Sequence, residues 1–121
     1  MTGMVRMSLI GMTAATVLWS PWASAHAKLV SADPAPNATV SASQNIHLQF
    51  DEEIVARFSS FRVTDTDGDP VPMMAMKARD AKSLDAMPSS KLEPGVYTVT
   101  WTAVSTDDGH KTTGSYSFTV K

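Results

Sequence analysis

The chain has 121 residues, with 10 basic and 12 acidic side chains and no cysteine. That length holds one domain around a single core. The missing cysteines exclude a disulfide framework, a Cys nucleophile and any thiolate metal site, and the slight acidity argues against a nucleic-acid partner or a polybasic membrane patch.

At the start, residues 1–25 carry one charge, Arg6, then an uncharged run from Met7, and end in Ala23-Ser24-Ala25. A basic start, an apolar middle and a small-x-small end are the three parts of a secretory signal peptide. Thr13, Thr16, Ser20 and Pro21 interrupt the apolar run, and nothing apolar continues it past Ala25. No membrane insertion is therefore expected of the mature chain. Cleavage after Ala25 leaves residues 26–121 as one exported domain, with nine basic against twelve acidic residues.

The mature part alternates short strands with turn residues. A first strand is expected at Lys28–Ser31. Ser31–Ser43, rich in Pro, Ser and Ala, then reads as a surface turn. Ile46, Leu48 and Phe50 alternate with His47 and Gln49, giving one apolar and one polar face. Ile54–Phe58 has room for one helical turn. Phe61 and Val63 repeat the period of two, and strands follow near Val71–Ala78 and at Ser83–Met87. Val96–Ala103 is the longest β-rich run, its face Tyr97, Val99, Trp101 and Ala103 backed by Thr98, Thr100 and Thr102. Tyr116, Phe118 and Val120 form the last strand. Seven strands separated by Pro, Gly, Asn and Asp clusters predict an all-β fold, a seven-stranded immunoglobulin-like Greek-key β-sandwich. Leu92-Glu93-Pro94-Gly95-Val96-Tyr97 has the form of a tyrosine corner, which assigns Tyr97 to the scaffold.

Chemistry concentrates at three places. Cleavage before His26 would free its α-amine, which with imidazole Nδ1 closes a six-membered chelate ring on a metal. Asp108-Gly109-His110 lies in the loop between the two clearest strands; Asp-Gly is a turn dipeptide, but no turn geometry requires His110. In an immunoglobulin-like order the start of the first strand, the exit of the second and the last hairpin loop share one end of the sandwich. His26, Asp51-Glu52-Glu53 and Asp107–His110 would then meet, a mixed nitrogen and oxygen set that suits Cu(II) ahead of Zn(II) and Ni(II). Met73, Met74 and Met76, with Met87 further on, offer soft thioethers for Cu(I), although core packing is the commoner fate of methionine. Asp65-Thr66-Asp67-Gly68-Asp69 lacks the glycine and glutamate spacing of a calcium loop and reads as a hairpin turn. His47 reads as a surface histidine on a polar strand face.

These residues together resemble a known family. His26-Ala27-Lys28-Leu29-Val30-Ser31, Leu48-Gln49-Phe50-Asp51-Glu52 and Pro94-Gly95-Val96-Tyr97-Thr98-Val99-Thr100-Trp101 are similar to segments of the CopC/YobA-type periplasmic copper proteins. So are Val104-Ser105, Asp108-Gly109-His110 and Gly114-Ser115-Tyr116-Ser117-Phe118, and the likeness runs over residues 26–121. The resemblance implies Cu(II) held by the amine and ring of His26 with Asp108 and His110, and Glu52 as a weaker ligand. One extra residue before the Asp-x-His motif leaves Asp107 competing with Asp108. The family's methionine loop is replaced here by an Asp/Thr-rich stretch with Met73, Met74 and Met76, so Cu(I) binding is expected to be weak at most. The implied role is a monomeric periplasmic carrier or buffer in copper homeostasis and resistance, not an enzyme, with a CopD-like inner-membrane protein as possible partner. The alternatives are a histidine-brace copper oxidase or monooxygenase, which needs a broad flat substrate surface where the cleaved chain keeps a single tryptophan, Trp101, expected in the core, and an adhesion or assembly sandwich without metal.

Overall fold

The computed structural model describes residues 26–42 and 45–121; the expected signal peptide, residues 1–25, lies outside the described residues. Eight strands follow in order: β1 (Leu29–Asp33), β2 (Thr39–Val40), β3 (Ile46–Phe50), β4 (Ser60–Thr64), β5 (Met73–Ala75), β6 (Ser83–Pro88), β7 (Gly95–Val104) and β8 (Lys111–Val120). A 3-10 turn at Ala56–Phe58 precedes β4. The strands form two four-stranded sheets, β1-β3-β6-β5 and β2-β8-β7-β4. This is the immunoglobulin arrangement, in which the first, second, fifth and fourth main strands make one sheet and the rest the other.

The eighth strand is β2, inside the segment expected to be only a turn. It runs parallel to β8, pairing Thr39 with Thr119 and Val40 with Val120. Asn37 N–H donates to the Ser117 carbonyl and Lys121 N–H to the Val40 carbonyl. The connection is captured because the outer edge of β8 would otherwise present unpaired backbone groups. The last strand is also longer than its apolar residues suggest, since the β7–β8 ladder runs from Gly95↔Val120 to Val104↔Lys111.

The core follows from the period of two. Ile46, Leu48 and Phe50 of β3 face Tyr97, Val99, Trp101 and Ala103 of β7 and Phe118 and Val120 of β8, all buried. Each fully buried large apolar side chain contributes about 1.5–3 kcal/mol relative to exposure. The Trp101 ring meets Phe50 edge-on, with centroids 5.2 Å apart.

Two tyrosines in this core differ in one respect. The Tyr97 hydroxyl donates to the Glu93 carbonyl at 2.6 Å, completing the tyrosine corner, whereas the buried Tyr116 hydroxyl has no hydrogen-bond partner among the described residues. Tyr97→Phe is therefore expected to cost about 0.5–1.5 kcal/mol, and Tyr116→Phe to leave stability unchanged or raised, by urea unfolding. Burial raises both phenols above their ordinary value; Asp65 and Glu93 add to the effect at Tyr97, and Asp33 at Tyr116. Unfolding returns them to an ordinary pKa near 10. Their contribution is thus complete below about pH 10 and is lost as pH climbs toward the folded-state values. Tyr116→Phe should flatten that alkaline loss.

Candidate metal centre

The topology brings the entry to β1, the exit from β3 and the β7–β8 loop to one pole. Lys28 N–H donates to Asp51 Oδ1 at 2.8 Å, and Asp51 N–H returns to the Lys28 carbonyl at 3.0 Å. After β3 the chain crosses to the other sheet, where Ile54 bridges Ser105, Val55 N–H donates to the Val104 carbonyl and Thr106 N–H to the Glu53 carbonyl. Thr112 Oγ1, early in β8, donates to the Ala27 carbonyl at 2.8 Å.

The β7–β8 loop is closed by its own backbone. Gly109 N–H donates to the Ser105 carbonyl, Ser105 N–H to the His110 carbonyl, and His110 N–H to Asp108 Oδ1 at 2.9 Å. Gly109 sits at φ +69°, in the left-handed region that glycine enters without a Cβ penalty. The Asx-type turn keeps the Asp108 carboxylate beside the residue that follows the glycine.

His26, Asp108 and His110 each bring one ligand-type atom to within 4.8 Å of the others. The His26 and His110 rings lie with centroids 4.0 Å apart, tilted by 52°. His26 Nδ1 is buried and has no hydrogen-bond partner among the described residues. A buried polar nitrogen left unpaired costs about 1–3 kcal/mol, and a metal ion held by two imidazoles and a carboxylate would satisfy it. The donor set fits a divalent cation of the copper–zinc class, with copper first in the affinity order.

Asp107 and Glu52 fall outside this trio. The Asp107 amide donates to Ser105 Oγ, and Ser105 Oγ donates to Glu52 Oε2 at 3.2 Å. Ser105, fully buried, ties the β3 exit to the loop. Nothing in the sequence pattern singled it out for this role; nor did it single out Thr112.

The other marked residues lie elsewhere. His47 is corrected: it lies on the outer face of its sheet, as alternation predicts, yet its side chain is only 11% exposed. Its Nδ1 lies 2.7 Å from Asp85 Oδ1, and the Asp85 side chain is 7% exposed. The segment between β5 and β6 folds back over this face, with Arg79 N–H and Ser83 Oγ donating to Asp85 Oδ2 and Gln49 Nε2 to Asp80. Asp65–Asp69 is a hairpin turn in which Asp65 Oδ1 accepts the amides of Asp67 and Asp69. Met74 and Met87 are directly opposed on β5 and β6 and exposed, as is Met76, whereas Met73 packs against the core.

The CopC domain family model matches residues 29–121. The chain belongs to the CopC family. Among curated relatives it is 39% identical to Protein YobA of Escherichia coli K12 over 120 residues, 97% of this chain and 94% of that protein. It is 40% identical to Copper resistance protein C of Pseudomonas syringae pv. tomato, over 96% of this chain and 97% of that protein. Among solved structures, the fold superposes on PcoC, described as a methionine-rich copper resistance protein from Escherichia coli, with a TM-score of 0.74 and 37% identity, covering 79% of this chain and 99% of that one. CopC from Methylosinus trichosporium OB3b aligns with a TM-score of 0.70 and 31% identity, covering 79% and 94% of the two chains. The exposed methionines of this CopC-family chain sit on β5, on β6 and at the residue after β5.

Proposed function

We propose that the mature protein begins at His26 and binds one copper ion, as Cu(II), through the His26 amine and ring with Asp108 and His110, as a monomeric periplasmic carrier or buffer in copper homeostasis and resistance. The observation that carries this reading is the pair of imidazoles 4.0 Å apart, with an unpartnered buried Nδ1 and a carboxylate beside them. The copper resistance names of the relatives favour copper as the cargo. Glu52 takes an outer position in this scheme, its Oε2 accepting from the Ser105 hydroxyl. A weak Cu(I) role falls to Met74, Met76 and Met87, whose thioethers are exposed. A CopD-like inner-membrane protein would receive the ion. Among the described residues no helix is long and apolar enough to cross a membrane. The copper oxidase alternative is disfavoured because Trp101, the one tryptophan in residues 26–121, is buried against Phe50 and not on a flat outer face.

The deciding experiment compares the exported protein with one carrying Met before His26. Intact mass should place the mature start at His26, and copper titration should show one site. Blocking the amine should weaken that site by about 100-fold or more, beyond the effect of losing an outer contact. A different mature start, or equal affinities, would sink the amine-ligand proposal.

A further inference from the structure

His26 precedes the first ladder pair, Leu29↔Phe50, so no strand pairing fixes it. A chain end of this kind frays unless it is tied down. Here the two residues after His26 are held, by Thr112 Oγ1 on the Ala27 carbonyl and by Asp51 on both the amide and the carbonyl of Lys28. Thr112 stands two residues beyond His110, which closes the loop just before β8, so the second imidazole and the grip on the arm that bears the first sit together at the start of that strand.

We infer that Thr112 and Asp51 are positioning residues of the metal centre, which hold the amino-terminal arm so that the His26 ring lies against His110 before any metal arrives. The inference rests on the copper reading above, but its geometric half can be measured without copper. Neither residue needs to touch the ion. Each removes freedom that the arm would otherwise lose on binding, which is how preorganisation raises affinity. The Thr112 hydroxyl is suited to this because β8 presents it at the crossing of β1's entry. Asp51 is suited because its side chain and its own amide grip the same residue.

The test uses the mature protein, ring-to-ring nuclear Overhauser effects between His26 and His110 without metal, copper titration, and the paramagnetic spectrum of bound Cu(II). Thr112→Val keeps the shape and removes the hydroxyl donor. It should lose the ring-to-ring signal and weaken copper by about 10–100-fold, the range for supporting contacts around a metal, with the ligand signature of the copper spectrum unchanged. Thr112→Ser should restore both. Asp51→Ala should weaken binding likewise, and Asp51→Asn, which keeps an acceptor oxygen for the Lys28 amide, should rescue it. Unfolding midpoints on each variant separate loss of the grip from general loosening, and the exposed Asp51 pair carries the test if Thr112→Val does not fold. An intact ring signal and affinity in Thr112→Val would overturn the inference, as would Asp51→Asn behaving like Asp51→Ala, since Asp51 would then act by charge or ligation. If the unaltered protein binds no copper, the copper reading falls, while the ring signal still decides whether Thr112 and Asp51 hold the arm.

Discussion

Replacing His110 by alanine is expected to weaken copper binding by about 100-fold or more and to leave stability within about 0.5 kcal/mol, as for an exposed side chain outside the core. Replacing His47 is expected to do the reverse. His110 is exposed, and among the described residues its ring pairs with no aromatic side chain but His26, so its removal opens no cavity. His47 is buried against Asp85, and its loss leaves that carboxylate with Arg79 and Ser83 alone. A buried charge-assisted hydrogen bond of this kind contributes about 1.5–3 kcal/mol. His47→Ala should therefore lower the urea midpoint and leave copper affinity within about threefold, because it lies on the outer face of the β1-β3-β6-β5 sheet and not at the pole. Glu52→Gln falls between the two, with less than about a tenfold loss of affinity, since glutamine still accepts from Ser105. Competition titration and urea unfolding on the three variants measure both quantities. Equal copper affinities for His110→Ala and His47→Ala would remove the pole from consideration.

Gly114→Ala is expected to destabilise the fold by about 1–3 kcal/mol or more, an overpacking cost. Gly114 lies opposite Trp101 in the β7–β8 ladder. A Cβ there would stand 2.5 Å from Trp101 Cζ2, 2.7 Å from Cε2 and 3.0 Å from Nε1. The indole cannot withdraw easily, because its ring is buried and braced edge-on against Phe50. Ser115→Ala, one residue on and exposed, should shift stability by less than about 0.5 kcal/mol and serves as the comparison. Urea unfolding decides between them; a shift at Gly114 no larger than at Ser115 would mean the indole has room to move.

Much of this protein was legible in its residues alone, and for a local reason. Alternation in Ile46–Phe50 and Val96–Ala103 identifies a buried face because successive side chains on a strand point to opposite sides, whatever the rest of the chain does. The tyrosine corner is equally local, since Tyr97 bonds to a carbonyl four residues upstream. From strand order, the convergence of His26, the β3 exit and the β7–β8 loop could be expected as well, once an immunoglobulin-like topology was adopted. Tertiary structure alone decided the rest. The strand β2 exists because a distant strand, β8, had an open edge for Thr39 and Val40. Alternation places His47 on the outer face correctly, but it cannot know that the β5–β6 connection returns to cover that face. Asp107 and Asp108 are neighbours of the same kind, and only the closed loop puts the carboxylate of Asp108 with the two imidazoles and the amide of Asp107 on Ser105. The hold of Thr112 on Ala27 joins residues 85 positions apart. A hydrogen bond of that span leaves no periodicity, turn signal or motif in the chain, because both partners are ordinary residues until the two sheets bring them together.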